Sequence, residues 1–106
     1  MDPKAILDAA AALITDRGTN YGGIEQNFER AAALASLKLD KAVTAYDVAI
    51  VLESVKDARR ATAPDHYDSH IDGINYRAFA LLLSGAQAHV PTAREMVAAL
   101  NKMEDE

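Results

Sequence analysis

The chain contains no cysteine. Disulfides and thiolate metal sites are therefore excluded, and a metal would have to be held by carboxylates or histidines. Aromatic residues make up only 6% of the 106 positions. A core in a chain of this length, enough for one domain, has to be filled by Ala, Leu, Ile and Val. Basic charge is also scarce, with 11 Lys and Arg against 16 Asp and Glu and a formal net charge of −5. Bulk nucleic-acid binding needs a basic face that displaces counterions, so this balance disfavours it. A local basic cluster can still hold one phosphate. No apolar run approaches the roughly 20 residues that span a bilayer. The opening Met1-Asp2-Pro3-Lys4 lacks the basic n-region and continuous apolar stretch of a signal peptide. The expectation is a cytoplasmic protein with no membrane partner.

What is present is alanine and helical periodicity. A first helix is expected from Pro3 to Asp16, capped by Asp2, with Pro3 at the position where its missing N–H matters least. Gly18 should stop it, and the run Arg17 to Gly23 reads as a glycine-rich turn. A second helix should follow from Gly23 or Ile24 to Lys38, with Ile24, Phe28, Ala31, Leu34 and Ala35 inward. A third begins at Thr44, where Thr44-Ala45-Tyr46-Asp47 resembles a capping box. It carries Val48, Val51, Leu52 and Val55 and ends near Ala61. A fourth opens after Pro64 with Asp65 as cap, carries Ile71, Ile74, Ala78, Leu81 and Leu82, and is closed by Gly85. A linker, Ala86 to Pro91, leads to a fifth helix with a Thr92–Glu95 capping box and Met96, Val97, Leu100 and Met103. The fold class is all-α. We expect an antiparallel bundle of four core helices over residues 1–85, then a linker and C-terminal helix over 86–106 packing on the same domain or on a partner subunit. Broad apolar stripes on so small a chain point to a homo-oligomer, a dimer or higher.

One polar constellation stands out. Lys56 and Arg59 share a face of the third helix, and Asp68 and Asp72 share a face of the fourth. Folding back at Ala63 and Pro64 brings Lys56 level with Asp72, and Arg59 or Arg60 level with Asp68. Lys56 continues a stripe with Ala49 and Leu52, while Asp72 continues one with Tyr76, Phe79 and Leu83, so the charges run along partly apolar faces. Buried charge is tolerated when paired. Two readings stay open. One is a salt-bridge ladder that sets the register of a helical hairpin. The other is a phosphate or Mg²⁺-phosphate site, in which carboxylates hold the metal and Lys and Arg meet the phosphates. Arg17, Tyr21 and Asn27 form a second polar group around the glycine run. Tyr21 could stack on a base there and Arg17 meet a phosphate, or the group could simply pack a corner.

Arg17-Gly-x-x-Tyr21-Gly22, Thr44-x-x-Asp47-Val48, Lys56-x-x-Arg59 and Asp68-Ser69-x-x-Asp72-x-x-x-Tyr76 together resemble a group of small phage and prophage helical proteins of unknown function. That group is similar to nucleotide-modification-associated domains and, more remotely, to MazG-like all-α NTP pyrophosphatases. The resemblance runs from about Leu13 to Leu83. It implies a MazG-like bundle that binds a nucleotide at Arg17, Tyr21, Asn27, Lys56, Arg59, Asp68, Asp72 and Tyr76. It also implies Mg²⁺, for which Glu53 and Asp72 are the available ligands. The chain departs from the E-x-x-E and E-x-x-D metal pattern of those enzymes. Here the spacing is Glu53-x-x-Lys56, then Ser69-x-x-Asp72 with Asp68 alongside, so an ammonium stands where an acid should. If the chain is an enzyme, the implied reaction is Mg²⁺-dependent hydrolysis of a nucleoside triphosphate. Binding or sequestering a phosphorylated nucleoside needs less.

His66, His70 and His89 lack a zinc-motif context. No nucleophile elbow and no phosphate loop is present. The competing reading is a non-catalytic helical assembly module whose charge cluster is only structural.

Overall fold

The computed structural model describes residues 2–21, 23–85 and 93–104, with the backbone alone at 16–21, 95 and 96. It contains five helices and, among the described residues, no strand: α1 (Pro3–Tyr21), α2 (Ile24–Leu39), α3 (Ala45–Thr62), α4 (Tyr67–Leu83) and α5 (Ala93–Glu104). The all-α expectation holds. No described helix is long and apolar enough to cross a membrane. The Thr92 cap and the linker at Ala86 to Pro91 lie outside the described residues.

In α1, Asp2 Oδ1 accepts from the Ala5 N–H at 2.8 Å, as an N-cap should. Gly18 does not end this helix, which runs on to Tyr21. A glycine inside a helix costs about 1 kcal/mol relative to Ala, which weakens a helix without forbidding it. Gly23 then stands in extended conformation at φ −70° and ψ 133° as the first-turn cap of α2, so the break falls later than expected.

At the end of α2, Asp40 takes a left-handed φ of 53° and donates its N–H to the Ser36 carbonyl. Ser36 Oγ accepts from the Val43 N–H at 2.9 Å, which ties the connector to the helix it leaves. The Thr44–Asp47 capping box of α3 forms as expected. Asp47 N–H donates to Thr44 Oγ1 at 3.1 Å, and Thr44 N–H donates to Asp47 Oδ2 at 2.9 Å.

The cap of α4 is His66, not Asp65. Its side chain accepts from the Ser69 N–H, and its Nδ1 lies 2.7 Å from the fully buried Ser69 Oγ. His70 Nε2 lies 2.7 Å from the Pro64 carbonyl, which holds the turn closed behind it. Both histidines are thus occupied by local capping.

The bundle is built around the α3–α4 hairpin. α2 packs on α3, α1 packs on α4, and α1 meets α2 more lightly. Lys56 opposite Asp72 and Glu53 opposite Arg77 fix α3 and α4 as antiparallel. The core joins Phe28, Ala45, Ala49 and Ala80, with Ile24, Val48, Leu52, Tyr76, Phe79 and Leu83 packed against it. Phe28 and Phe79 meet edge to face at 5.6 Å between ring centres, and Tyr76 joins Phe79 at 6.2 Å. Three of the few aromatics, Phe28, Tyr76 and Phe79, thus meet at the centre, contrary to a core of aliphatics alone, while Tyr46 and Tyr67 are exposed.

The inward faces differ from the expected stripes. On α2 the buried residues are Phe28 and Ala32, while Ala31 and Leu34 are exposed. On α3 Val51 and Val55 are exposed, and on α4 Ala78, Leu81 and Leu82 are exposed. Successive residues on a helix differ by about 100°, and alanines on several sides blur which row faces inward.

Candidate functional site

Asp72 occupies an inward-facing row of α4, one turn after Asp68 and one turn before Tyr76. Across the hairpin, Lys56 Nζ stands 3.1 Å from Asp72 Oδ2, and the two side chains are only 19% and 13% exposed. Beside the pair, the backbone of Gly73 on α4 faces Lys56 on α3. A Cβ built on Gly73 would lie 3.9 Å from Lys56 Cβ.

Asp72 also lines a pocket of about 250 Å³ between α1, α2 and α4. Leu13 and Ile14 of α1, Ile24 and Phe28 of α2, and Phe79 of α4 supply apolar walls. Asn27, Asp72, Asn75 and Tyr76 supply polar groups. The pocket is therefore mostly apolar with a few convergent hydrogen-bonding groups, the usual constitution of a small-molecule site. Asn75 is buried, and its Nδ2 donates to the Ala10 carbonyl at 2.9 Å, which anchors α1 to α4 beside the pocket.

The structure gathers Asn27, Asp72 and Tyr76 at one pocket, with Lys56 held to Asp72. Glu53 goes elsewhere. It bonds Arg77 Nη1 at 3.0 Å and lines a different groove, so Glu53 and Asp72 do not face a common pocket. Among the described residues, no group of three or more His, Asp or Glu side chains is arranged to hold a metal ion.

The expected partnership of Arg59 or Arg60 with Asp68 does not form among the described residues. Arg60 Nη2 donates instead to Asp57 Oδ1 at 2.6 Å within α3, an acid three residues away that needs no inter-helix reach. Arg59 and Asp68 are both exposed. The side chains of Arg17 and Tyr21 lie outside the described residues.

Sequence reasoning missed Asn75 and the pocket walls. Asn75 had a signal: it interrupts an inward apolar row between Ile71 and Phe79, where an unpaired amide would be costly. The walls had none, because they come from three helices distant in sequence.

An all-helical domain built on a central antiparallel hairpin, with a charge pair beside a small three-helix pocket, is the class that fold and site define. The chain belongs to the family whose model is described as a domain of unknown function, DUF6378, which it matches over residues 5–84. The match takes in almost all of α1 to α4 and leaves α5 outside it. No curated protein and no solved structure matches the chain.

Proposed function

We propose that the protein binds a phosphorylated nucleoside, with the base in the α1–α2–α4 pocket and the phosphate toward Lys56. The observation that carries this reading is Asp72. It pairs with Lys56 and also lines a pocket whose other polar groups are Asn27, Asn75 and Tyr76. Carboxamides and a carboxylate recognise the hydrogen-bonding edge of a base, and the ring faces of Phe28, Phe79 and Tyr76 offer apolar and aromatic contact. At about 250 Å³ the pocket lies just below the usual small-molecule range of about 300–1,000 Å³, which suits one base with its sugar. Lys56 has three N–H donors, so one bond to Asp72 leaves it able to meet a phosphate oxygen. The motifs' resemblance to small phage proteins of unknown function, themselves similar to nucleotide-modification-associated domains, suits the same ligand class and a cytoplasmic setting.

Binding or sequestration is favoured over Mg²⁺-dependent hydrolysis, because Lys56 stands where the MazG-like pattern has an acid. Isothermal titration against nucleosides and their mono- and triphosphates, with and without Mg²⁺, tests the reading. Saturable binding is expected, lost in Asn27→Leu and weakened in Lys56→Met, with helical content retained. Absence of binding by every nucleoside and nucleotide would overturn it.

A second reading, a helical assembly module, draws on the many large apolar side chains at the surface. It does not exclude a pocket, since a homo-oligomer can bind nucleotides.

A further inference from the structure

The buried apolar residues of this chain are mostly its smallest. Among the described residues they are Ala10, Ala32, Ala45, Ala49 and Ala80, with Phe28 and Ile71 the large exceptions. Many large aliphatic side chains are exposed, among them Leu34, Leu37, Val51, Val55, Leu81 and Leu82. The chain exposes 8082 Å², whereas the size scaling gives about 5,800 Å² for a folded monomer of 11.4 kDa. Part of the surplus sits on α5, where Val97, Leu100 and Met103 are exposed. Large apolar side chains are also exposed on α2, α3 and α4, among them Leu37, Val51 and Leu82. An obligate dimer buries about 1,000–2,500 Å² per protomer, and exposed apolar side chains of this kind are what such a contact covers.

One exposed surface has the form of an interface. A groove of about 750 Å³ runs between α3 and α4, lined by Tyr46, Ile50, Ser54, Ile74, Ala78 and Leu81 among others. Tyr46, Ile50 and Ser54 are spaced by four on α3, and Ile74, Ala78 and Leu81 by four and three on α4. Each helix of the hairpin thus carries a second stripe besides the one in its own core. Glu53, Asp57 and Arg77 also line the groove. The Arg77 side chain is 82% exposed, although it bonds a Glu53 that is only 14% exposed.

We propose that this groove is an isologous interface for a second copy of the chain, packed hairpin on hairpin as a four-helix layer. The charges favour self-pairing. A two-fold contact places the same patch against itself, so a groove bearing both carboxylates and a guanidinium is its own complement. The Arg77 of each protomer then lies against acids of its partner as well as against Glu53. The apolar stripes exclude water around them. This interface uses α3 and α4 on residues that do not line the nucleoside pocket, so it stands independently of that reading.

Sedimentation equilibrium of the full chain at micromolar concentration is expected to give twice the 11.4 kDa protomer mass. Ile50→Glu and Leu81→Glu, both at exposed positions, are expected to give the protomer mass with unchanged helical circular dichroism. Leu37→Glu on α2 and Leu100→Glu on α5 are expected to retain the doubled mass. A wild-type mass of one protomer overturns the proposal. So does dissociation by Leu37→Glu or Leu100→Glu with the groove variants still dimeric, which would assign the contact to α2 or α5. Should the groove variants lose helix, Ser54→Cys decides, since the native chain has no competing thiol. Slow maleimide labelling in concentrated solution that becomes fast on dilution supports the interface. Equal rates at both concentrations overturn it.

Discussion

Lys56 Nζ on α3 lies 3.1 Å from Asp72 Oδ2 on α4, and neither side chain is more than one-fifth exposed. The contact joins the two helices that pack most extensively, so it sets their register. Its energetic worth is a separate question. Withdrawing two charges from water offsets much of their attraction, and removing one partner strands the other. We expect Lys56→Met or Asp72→Leu alone to lower stability by about 1–3 kcal/mol. The double variant should recover most of that loss or exceed the native chain. Urea unfolding of all four proteins closes the cycle. If ligand binding disappears in the stable double variant, the pair serves the pocket as well as the register.

Gly73 is helical, and a Cβ added there would lie 3.9 Å from Lys56 Cβ, an ordinary contact distance. The close approach of α3 and α4 therefore does not require a glycine. Gly73→Ala should raise stability by about 0.5–1 kcal/mol, since alanine restricts the unfolded chain and favours the helix. In a domain of this size that shifts the melting temperature upward by a few degrees, roughly 2–8 °C. A lower melting temperature would show that the hairpin is tighter than the 3.9 Å spacing implies.

Much of this was legible locally. The Thr44–Asp47 capping box and the return of Lys56 onto Asp72 depend on spacing and on a short connection at Ala63 and Pro64, both visible in the sequence. What failed depends on longer-range facts. Gly18 looked like a stop because local propensity disfavours it, yet α1 continues past it to Tyr21. Leu34 and Val51 looked inward because alanine-rich helices are apolar on several sides, and only the packed neighbour selects one. Nothing in the sequence marks His66 beyond the absence of a zinc motif, and its capping role requires knowing where α4 begins. The pocket was invisible for a different reason. Its walls at Leu13, Phe28 and Phe79 meet only when α1 and α2 close over α4. Only its polar members, Asn27, Asp72 and Tyr76, had been singled out by type.

Asn75 provides the clearest non-local hydrogen bond. Its Nδ2 reaches the Ala10 carbonyl at 2.9 Å from a buried position on α4. Asn75→Ala removes the bond and leaves space, for a loss of about 1–2 kcal/mol. The local effect should exceed the global one. Amide hydrogen exchange is expected to quicken along α1 around Ala10 while the amides of α3 change little. Uniform acceleration across all helices would mean that α1 unfolds only with the whole domain.

Phe28 tests how much the bundle depends on its few large core side chains. It is buried, stacks edge to face on Phe79 at 5.6 Å, and also walls the pocket. Its neighbours Ala32, Ala45 and Ala49 are too small to close over a vacated ring. Phe28→Ala should therefore approach the full penalty of such truncations, about 3–5 kcal/mol. Small domains hold about 5–15 kcal/mol in total, so the variant should be largely unfolded or melt far below the native chain. Phe28→Leu keeps most of the volume and should retain the fold with an altered pocket wall. Circular dichroism melts of the two variants separate the cases. A stable, fully helical Phe28→Ala would mean that the ring belongs to the pocket more than to the core.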